Sequence, residues 1–414
     1  MKFEQIDLGK IAEVLTGFPF KSKEFNEEGL GYFLIRGKNV SESFIKKGKD
    51  AKFWNHNLDK KMEKYLLKEN DIVIGMDGSK VGKNVSKIST GEVPSLLVQR
   101  VARLRVKEGY DQNFLYYHFF NNRFNNYVNS IKTGTSIPHI SPKQISEYQV
   151  TNFPINEQKR VVSIIEPILE KIELNNQIIA TLEELAATLF KRWFVDFEFP
   201  DENGNPYKSS GGKMVDSELG EIPEGWEVKT LTEIAVYKNG LAMQKFRPID
   251  MDNSLPVLKI KELNQGFVDS FSDRCSIDIK DDVKVFNGDV IFSWSGTLLV
   301  KLWTGGNAGL NQHLFKVTSD KFEKWFYYLW TRYYLNQFIA IAKDKATTMG
   351  HIKRENINNA KICYPVDSKL TDLFSRNFSP LIMQIIEVGI ENNVLKQSRD
   401  ALLPKLLSGE LLVK

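Results

Sequence analysis

The sequence predicts an α+β protein assembled as a tandem duplication. Each copy is a mixed α/β domain followed by a long helix. The two helices are expected to form an antiparallel coiled coil with one mixed domain at each end. Three observations predict this: an unusual stretch is written twice, further segments match in the same order, and an apolar heptad follows each mixed block.

The doubled stretch is "KTGTSIPHISPKQISEYQVTNFP", Lys132 to Pro154, and "KATTMGHIKRENINNAKICYP", Lys345 to Pro365. Around it, "FEQIDLGKIAEVLTG" from Phe3 aligns with "WEVKTLTEIAVYKNG" from Trp226. "YFLIRGKNV" from Tyr32 aligns with "PVLKIKELN" from Pro256, and "DIVIGMDGS" from Asp71 with "DVIFSWSGT" from Asp289. Gln99-Arg100 align with Gln312-His313, His139-Ile140 with His351-Ile352, and Pro167 with Pro380. Unbroken order, with offsets changing only by loop-sized steps, is the mark of a duplication.

Within each mixed block, short β-branched runs ("DIVIGM", "LVQRVARLRV", "DVIFSW") broken by Gly, Asn and Ser read as strands. "NFLYYHFFNNRFNNYV" and "KWFYYLWTRYYLNQFIAIA" carry aromatics at helical spacing, which fits packing on a sheet better than stacking on nucleobases. Beyond Pro167 the apolar seam is Ile168, Ile172, Asn175, Ile179, Leu182, Ala186, Leu189 and Trp193. Its counterpart is Leu381, Ile385, Val388, Asn392, Leu395, Arg399, Leu402 and Leu406. Each proline is expected in the first turn of its helix, where a missing N–H costs least. Pro404 is expected to fray or end the second helix. Antiparallel pairing would set Asn175 against Asn392 and Ile172 against Leu395, a buried amide pair that fixes register. The expected boundaries are a first mixed domain at 1–155, helix at 156–198, a connector of surface hairpin turns at 199–217, a second mixed domain at 218–366 and helix at 367–414.

Composition is that of a soluble globular chain, with 42% apolar and 26% charged residues. Only Cys275 and Cys363 occur, which excludes a disulfide framework and suits a reducing cytoplasm. Neither a signal peptide nor a membrane span is evident. The net charge is +4, but residues 1–155 hold 24 Lys+Arg against 17 Asp+Glu, a balance of +7. Such an excess favours a polyanionic partner. Two similar domains on a twofold rod would match duplex DNA. The stretch from Pro167 to Trp193 gives roughly 40 Å of helix, against about 34–36 Å for a turn of duplex.

At this point particular motifs carry a resemblance. "SSGGKMVDSELGEIPEGWEV", "PINEQKRVV", "LFKRWFVDF" and "RDALLPKLLSGEL" make the chain, over essentially its whole length, resemble the specificity subunit of type I restriction-modification systems. "YPVDSKLTDLF", which leads into the second helix, departs from the Glu-Gln-Lys/Arg form of the first. The resemblance implies a non-catalytic, cytoplasmic subunit that binds double-stranded DNA. Each target recognition domain would read one half of a bipartite site, and the helices would set the spacer. It also implies two methyltransferase subunits docked on the helices and ATP-dependent restriction subunits beyond them. S-adenosylmethionine, ATP and Mg would belong to those partners, with no cofactor on this chain.

Negative signs agree. "GSKVGKN" at Gly78 lacks phosphate-loop spacing, and "NPY" at Asn205 lies in the connector. The five histidines are scattered, and Asp282-Val283-Lys284 is a lone Asp-x-Lys match. Two rival readings stand beside this one: the recognition portion of a fused nuclease-methyltransferase, and a DNA-free protein scaffold. The missing catalytic motifs weigh against the first, and salt-dependent duplex binding would exclude the second.

The doubled stretch supplies one set of candidate DNA contacts. Lys132, Thr133, Gly134, Thr135 and Ser136, with Lys345, Thr347 and Thr348, offer charge and small donors to phosphates. His139 and His351 read as structural. Base readout is expected from loops that differ between copies. "FPFKSKEF" supplies Lys21 and Lys23 against Gln244, Lys245 and Arg247 of "LAMQKFRP". "DGSKVGKN" supplies Lys80, Lys83 and Asn84 against Thr297 and Lys301 of "WSGTLLVK". Gln99-Arg100 and Asn311-Gln312, expected to begin matching strands, complete the set.

Overall fold

A computed structural model describes residues 3–120, 122–132, 138–344 and 350–411. The chain divides into two compact units, one of residues 1–170 with 397–414 and one of residues 171–396.

In the first unit, Ala12–Thr16, Val101–Val106, Ile72–Gly75 and Val85–Lys87 lie side by side as a four-stranded antiparallel sheet. A second sheet runs Phe53–Trp54, Tyr32–Ile35, Ser95–Leu97, Leu66–Leu67, with Tyr32–Ile35 parallel to Ser95–Leu97. Gln5–Asp7 pairs with Gln149–Thr151. The second unit repeats this order. Val236–Asn239, Leu314–Thr318, Val290–Ser293 and Leu299–Leu302 form one sheet. Arg274–Ser276, Ser254–Leu258, Ala308–Leu310 and Lys284–Val285 form the other, again with one parallel pair. Trp226–Thr230 pairs with Lys361–Pro365. The tandem α+β class expected from the repeat is the one found, strand for strand.

The aromatic stretches are helices whose rings face inward. Phe114, Leu115, Tyr116 and Tyr117 of Gln112–Tyr117 are buried, as is every residue from Trp325 to Thr331 in Lys324–Tyr333. Tyr237 and Thr331 share a buried hydroxyl hydrogen bond of 2.6 Å, and Phe292 stacks on Phe338 at 5.8 Å. These rings are core, so the helices fix the sheets rather than offer a stacking platform. The end of the connector, Met214–Ser217, forms a hairpin with Gly220–Pro223 at the start of the second mixed block. The connector is anchored by buried Phe199, which stacks on Tyr207 at 4.6 Å and on Trp226 at 5.3 Å.

The long helices span Ile155–Phe190, closing in a π turn at Lys191–Val195, and Ser368–Ser408. Three proline expectations are thereby corrected. Pro167 lies inside the first helix, and Pro380 and Pro404 lie inside the second. An interior proline costs about 3 kcal/mol. The residues before each proline repay this through burial worth about 1.5–3 kcal/mol per side chain. Val161, Val162 and Ile165 precede Pro167, Phe374 and Phe378 precede Pro380, and Leu403 precedes Pro404; all are buried. Gln158 adds a buried polar anchor, donating to the Phe153 carbonyl at 2.7 Å and accepting from the Asp111 N–H at 2.8 Å. The second helix stops instead at Gly409, whose φ of +77° suits glycine.

Within the second unit the helices run antiparallel. Lys171 and Asn175 meet Glu391, Asn176 meets Asn392, and Trp193 lies 5.3 Å from Phe374. Asn175 and Asn392 are both buried at one level, as the seam required. The expected bond between the two amides, however, is not formed. Asn175 Nδ2 donates to Glu391 Oε2 at 2.7 Å and Asn392 Nδ2 to Asn176 Oδ1 at 2.9 Å. Both Oδ1 atoms are left buried without a partner among the described residues. Each amide reaches the polar residue flanking its counterpart on the facing helix.

Candidate nucleic-acid interface

Two junctions are built the same way in both units, and both carry candidate residues. At the first, glycine lets two loops touch. Phe18 bridges Val98, and a Cβ on Gly17 would strike the Val98 carbonyl; Leu241 bridges Asn311, and a Cβ on Gly240 would strike the Leu310 and Asn311 carbonyls. At the second, the doubled His-Ile closes on the loop that follows a central strand. Gly78 N–H donates to the Pro138 carbonyl at 3.0 Å and Ile140 N–H to the Met76 carbonyl at 3.0 Å. In the other unit Gly296 N–H donates to Gly350 at 3.0 Å and Ile352 N–H to Trp294 at 3.1 Å. The stretch is written twice because it pins the same loop twice.

His139 is structural, as expected. Its Nδ1 lies 3.1 Å from the Met76 carbonyl and 2.5 Å from Asp77 Oδ1. Arg100 Nε lies 3.5 Å from the other Asp77 oxygen. The Met76 N–H donates to the Arg100 carbonyl at 2.9 Å, so Arg100 sits directly beside the pinned loop. Gln99 and Arg100 do not begin a strand. They form the turn before Val101–Val106, with Arg100 at φ +74°. Both are exposed, as are Lys21, Lys23, Lys80 and Lys83, while Asn84 is half-buried against Gly75.

In the second unit, Gln244, Arg247 and Asn311 line one groove of about 420 Å³ with Lys259 and Arg274. Lys245 is exposed beside it, in the helical turn Met243–Lys245. Asn311 also falls outside a strand. It is buried and accepts the His313 N–H at 3.3 Å, which makes it turn scaffold, with Gln312 half-exposed next to it. Thr297 is exposed on the loop pinned by Gly350, beside a hollow of about 260 Å³. Lys301 is not brought to these loops. It lies in the strand Leu299–Leu302 and donates to the Asn264 carbonyl at 2.8 Å, and burial lowers its pKa. Lys132 is exposed and donates to Asn129 Oδ1 at 2.9 Å. Thr133, Gly134, Thr135, Ser136, Lys345, Thr347 and Thr348 lie outside the described residues.

Sequence reasoning missed the segment between Tyr32–Ile35 and Phe53–Trp54. It runs beside the same loops: Ser43 N–H donates to the Val85 carbonyl at 2.9 Å, and Gly37 lies against Gly75 and the Arg100 carbonyl. Its signal was the lysine density of "FIKKGKDAK", counted in the net charge but not located. Among the described residues no group of three or more His, Cys, Asp or Glu is placed to hold a metal. Among the same described residues no helix is long and apolar enough to cross a membrane.

A family model, described as type I restriction modification DNA specificity domain, matches residues 1–184 and again 223–387. The type I restriction enzyme MjaIX specificity subunit of Methanocaldococcus jannaschii is 30% identical over 318 residues, covering 74% of this chain and 71% of that protein. The HindI specificity subunit of Haemophilus influenzae is 23% identical over 357 residues, covering 72% and 77%. In fold, the chain is similar to the crystal structure of a type I restriction-modification S subunit from M. genitalium. The TM-score is 0.59 at 15% identity, over 98% of this chain and 96% of that one.

Proposed function

We propose a division of labour that proceeds from one premise: this chain belongs to the family of type I restriction modification DNA specificity domains. It is a specificity subunit, the DNA-reading and non-catalytic member of a restriction-modification complex. Each unit's loop cluster reads one half of a bipartite duplex site, and the paired helices set the spacer between halves. The observation that carries this reading is the pair of junctions built identically in both units and surfaced with different residues. An identical frame presents each loop to the groove in the same way. Lys21, Lys23, Lys80, Lys83, Gln99 and Arg100 then face one half, and Gln244, Lys245, Arg247, Thr297 and Gln312 face the other. Lysine and arginine suit guanine and phosphate, and glutamine suits adenine.

Two methyltransferase subunits dock on the helices, and restriction subunits join that core in the cytoplasm. S-adenosylmethionine, ATP and Mg belong to those partners. The test replaces residues 1–155 with the matching domain of a relative and sequences the methylome of cells that also carry the methyltransferase. One half of the methylated site is expected to change and the other to persist. Change in both halves would refute the division.

A further inference from the structure

Residues 36–52 carry six Lys/Arg against two acids, a balance of +4 that is more than half of the +7 on residues 1–155. The corresponding stretch of the second unit, residues 259–273, holds two lysines against three acids. There both lysines are neutralised, Lys259 by Asp273 and Lys261 by Asp269 at 3.1 Å. In the first unit Lys38 is held by Asp50 and Lys52 by Glu27. Lys46, Lys47 and Lys49 are exposed with no carboxylate partner among the described residues.

These three ammonium groups stand on a rigid support. Buried Asn39 accepts the Arg36 N–H at 3.1 Å and donates to the Lys46 carbonyl at 2.8 Å, while the Lys46 N–H returns to the Asn39 carbonyl at 2.7 Å. Arg36 Nη2 ties the far end by donating to the Asp50 carbonyl at 2.8 Å. Val40 and Ile45 bridge one another and are buried in the sheet core. Lys47 Nζ rests over the Phe33 and Phe53 rings at 5.4 and 5.7 Å, which fixes where its charge sits. The support is itself bonded to Val85, two residues beyond Lys83.

We infer that this excursion is a second DNA-contacting surface of the first unit. Lys46, Lys47 and Lys49 hold duplex phosphates beside the reading loops, and the second unit has no counterpart. Lysine is a point charge without the planar fork that reads base edges, so the surface adds affinity and not sequence. It makes the first unit the tighter non-specific grip on DNA. The inference rests on the reading of the chain as a duplex-binding subunit, and its test separates the two.

The full chain is titrated with a random-sequence duplex over a salt series. Each phosphate contact contributes roughly 0.9 to the slope of log K against log salt. Replacing all three residues (Lys46→Gln, Lys47→Gln, Lys49→Gln) should therefore flatten the slope by roughly 2–3 units. Arginine at the same three positions should restore it. Lys261→Gln, whose charge Asp269 already neutralises, should leave it alone, and the methylated sequence should be the same throughout. An unchanged slope in the glutamine variant, with salt-dependent binding intact in the parent, overturns the second surface. A parent that shows no salt-dependent duplex binding overturns the functional reading itself.

Discussion

His118 lies wholly inside the first unit, edge-on to Phe114 at 5.0 Å, and neither ring nitrogen finds a hydrogen-bond partner among the described residues. Burial, reinforced by the nearby Arg123 charge, pushes its pKa down to about 3. An unfolded histidine titrates near 6.5. The unfolded chain therefore binds the extra proton between those values while the folded one does not. The contribution of neutral His118 is complete above about pH 6.5 and is lost as pH falls toward 3, at about 1.4 kcal/mol per pH unit. His118→Phe, which keeps the ring contact and removes the proton site, should flatten the fall in melting temperature between pH 6.5 and 4. An identical pH profile in the variant would show that this ring is not the acid-sensitive group. Nothing in "LYYHFF" announced such a role. A lone histidine among aromatics reads as core, and whether its nitrogens are satisfied depends on residues far away in sequence.

At the scale of elements, the equivalence of the two mixed blocks was legible because duplication writes their strand runs twice. The order of strands within each sheet was not, because it joins segments far apart in sequence. The seam was legible because a heptad is local and periodic. The prolines were misleading. Their usual place in a first turn is a statistical preference, and here tertiary burial on both sides outweighed it. Side-chain choice within the asparagine layer was also beyond the heptad pattern, which fixes level but not rotamer. Each amide bonds a neighbour of its counterpart and leaves its own oxygen without a partner among the described residues. A buried oxygen without a partner costs about 1–3 kcal/mol, against a net gain of about 0.5–1.5 kcal/mol for each bond the amides make. Asn175→Leu combined with Asn392→Leu should therefore raise the melting temperature by a few degrees. It should also widen the range of spacers methylated, because apolar layers tolerate register shifts that buried amides penalise. A lower melting temperature in the double variant would mean that the Glu391 and Asn176 bonds outweigh the unpaired oxygens.

For the whole molecule, the boundary least visible in the sequence divides the second long helix. Residues 367–414 read as one helical segment, yet Gln397–Lys414 belong to the same unit as residues 1–170. No composition shift marks that division, because it arises from packing between segments more than two hundred residues apart. The tail completes the first unit's core. Leu403, Leu406 and Leu407 are buried among residues of that unit. Thr151 Oγ1 donates to the Leu407 carbonyl at 2.6 Å, and the Arg399 guanidinium lies 5.6 Å from the Phe120 ring centre. In the second unit Ala186, Phe190, Trp193 and Phe194 of the first long helix do the same work, packed with Phe374 and Phe378. Each mixed domain is thus finished by the far end of the other copy's helix. Losing a single buried leucine side chain costs about 2–5 kcal/mol, so losing three approaches the whole stability of a domain, about 5–15 kcal/mol. A chain ending at Lys396 should therefore lose the first unit's fold. Limited proteolysis should cut it within residues 1–170, while residues 199–366 stay protected and amide exchange in Ile72–Gly75 becomes fast. Slow exchange in that central strand after truncation would mean that the first unit closes its core without the tail.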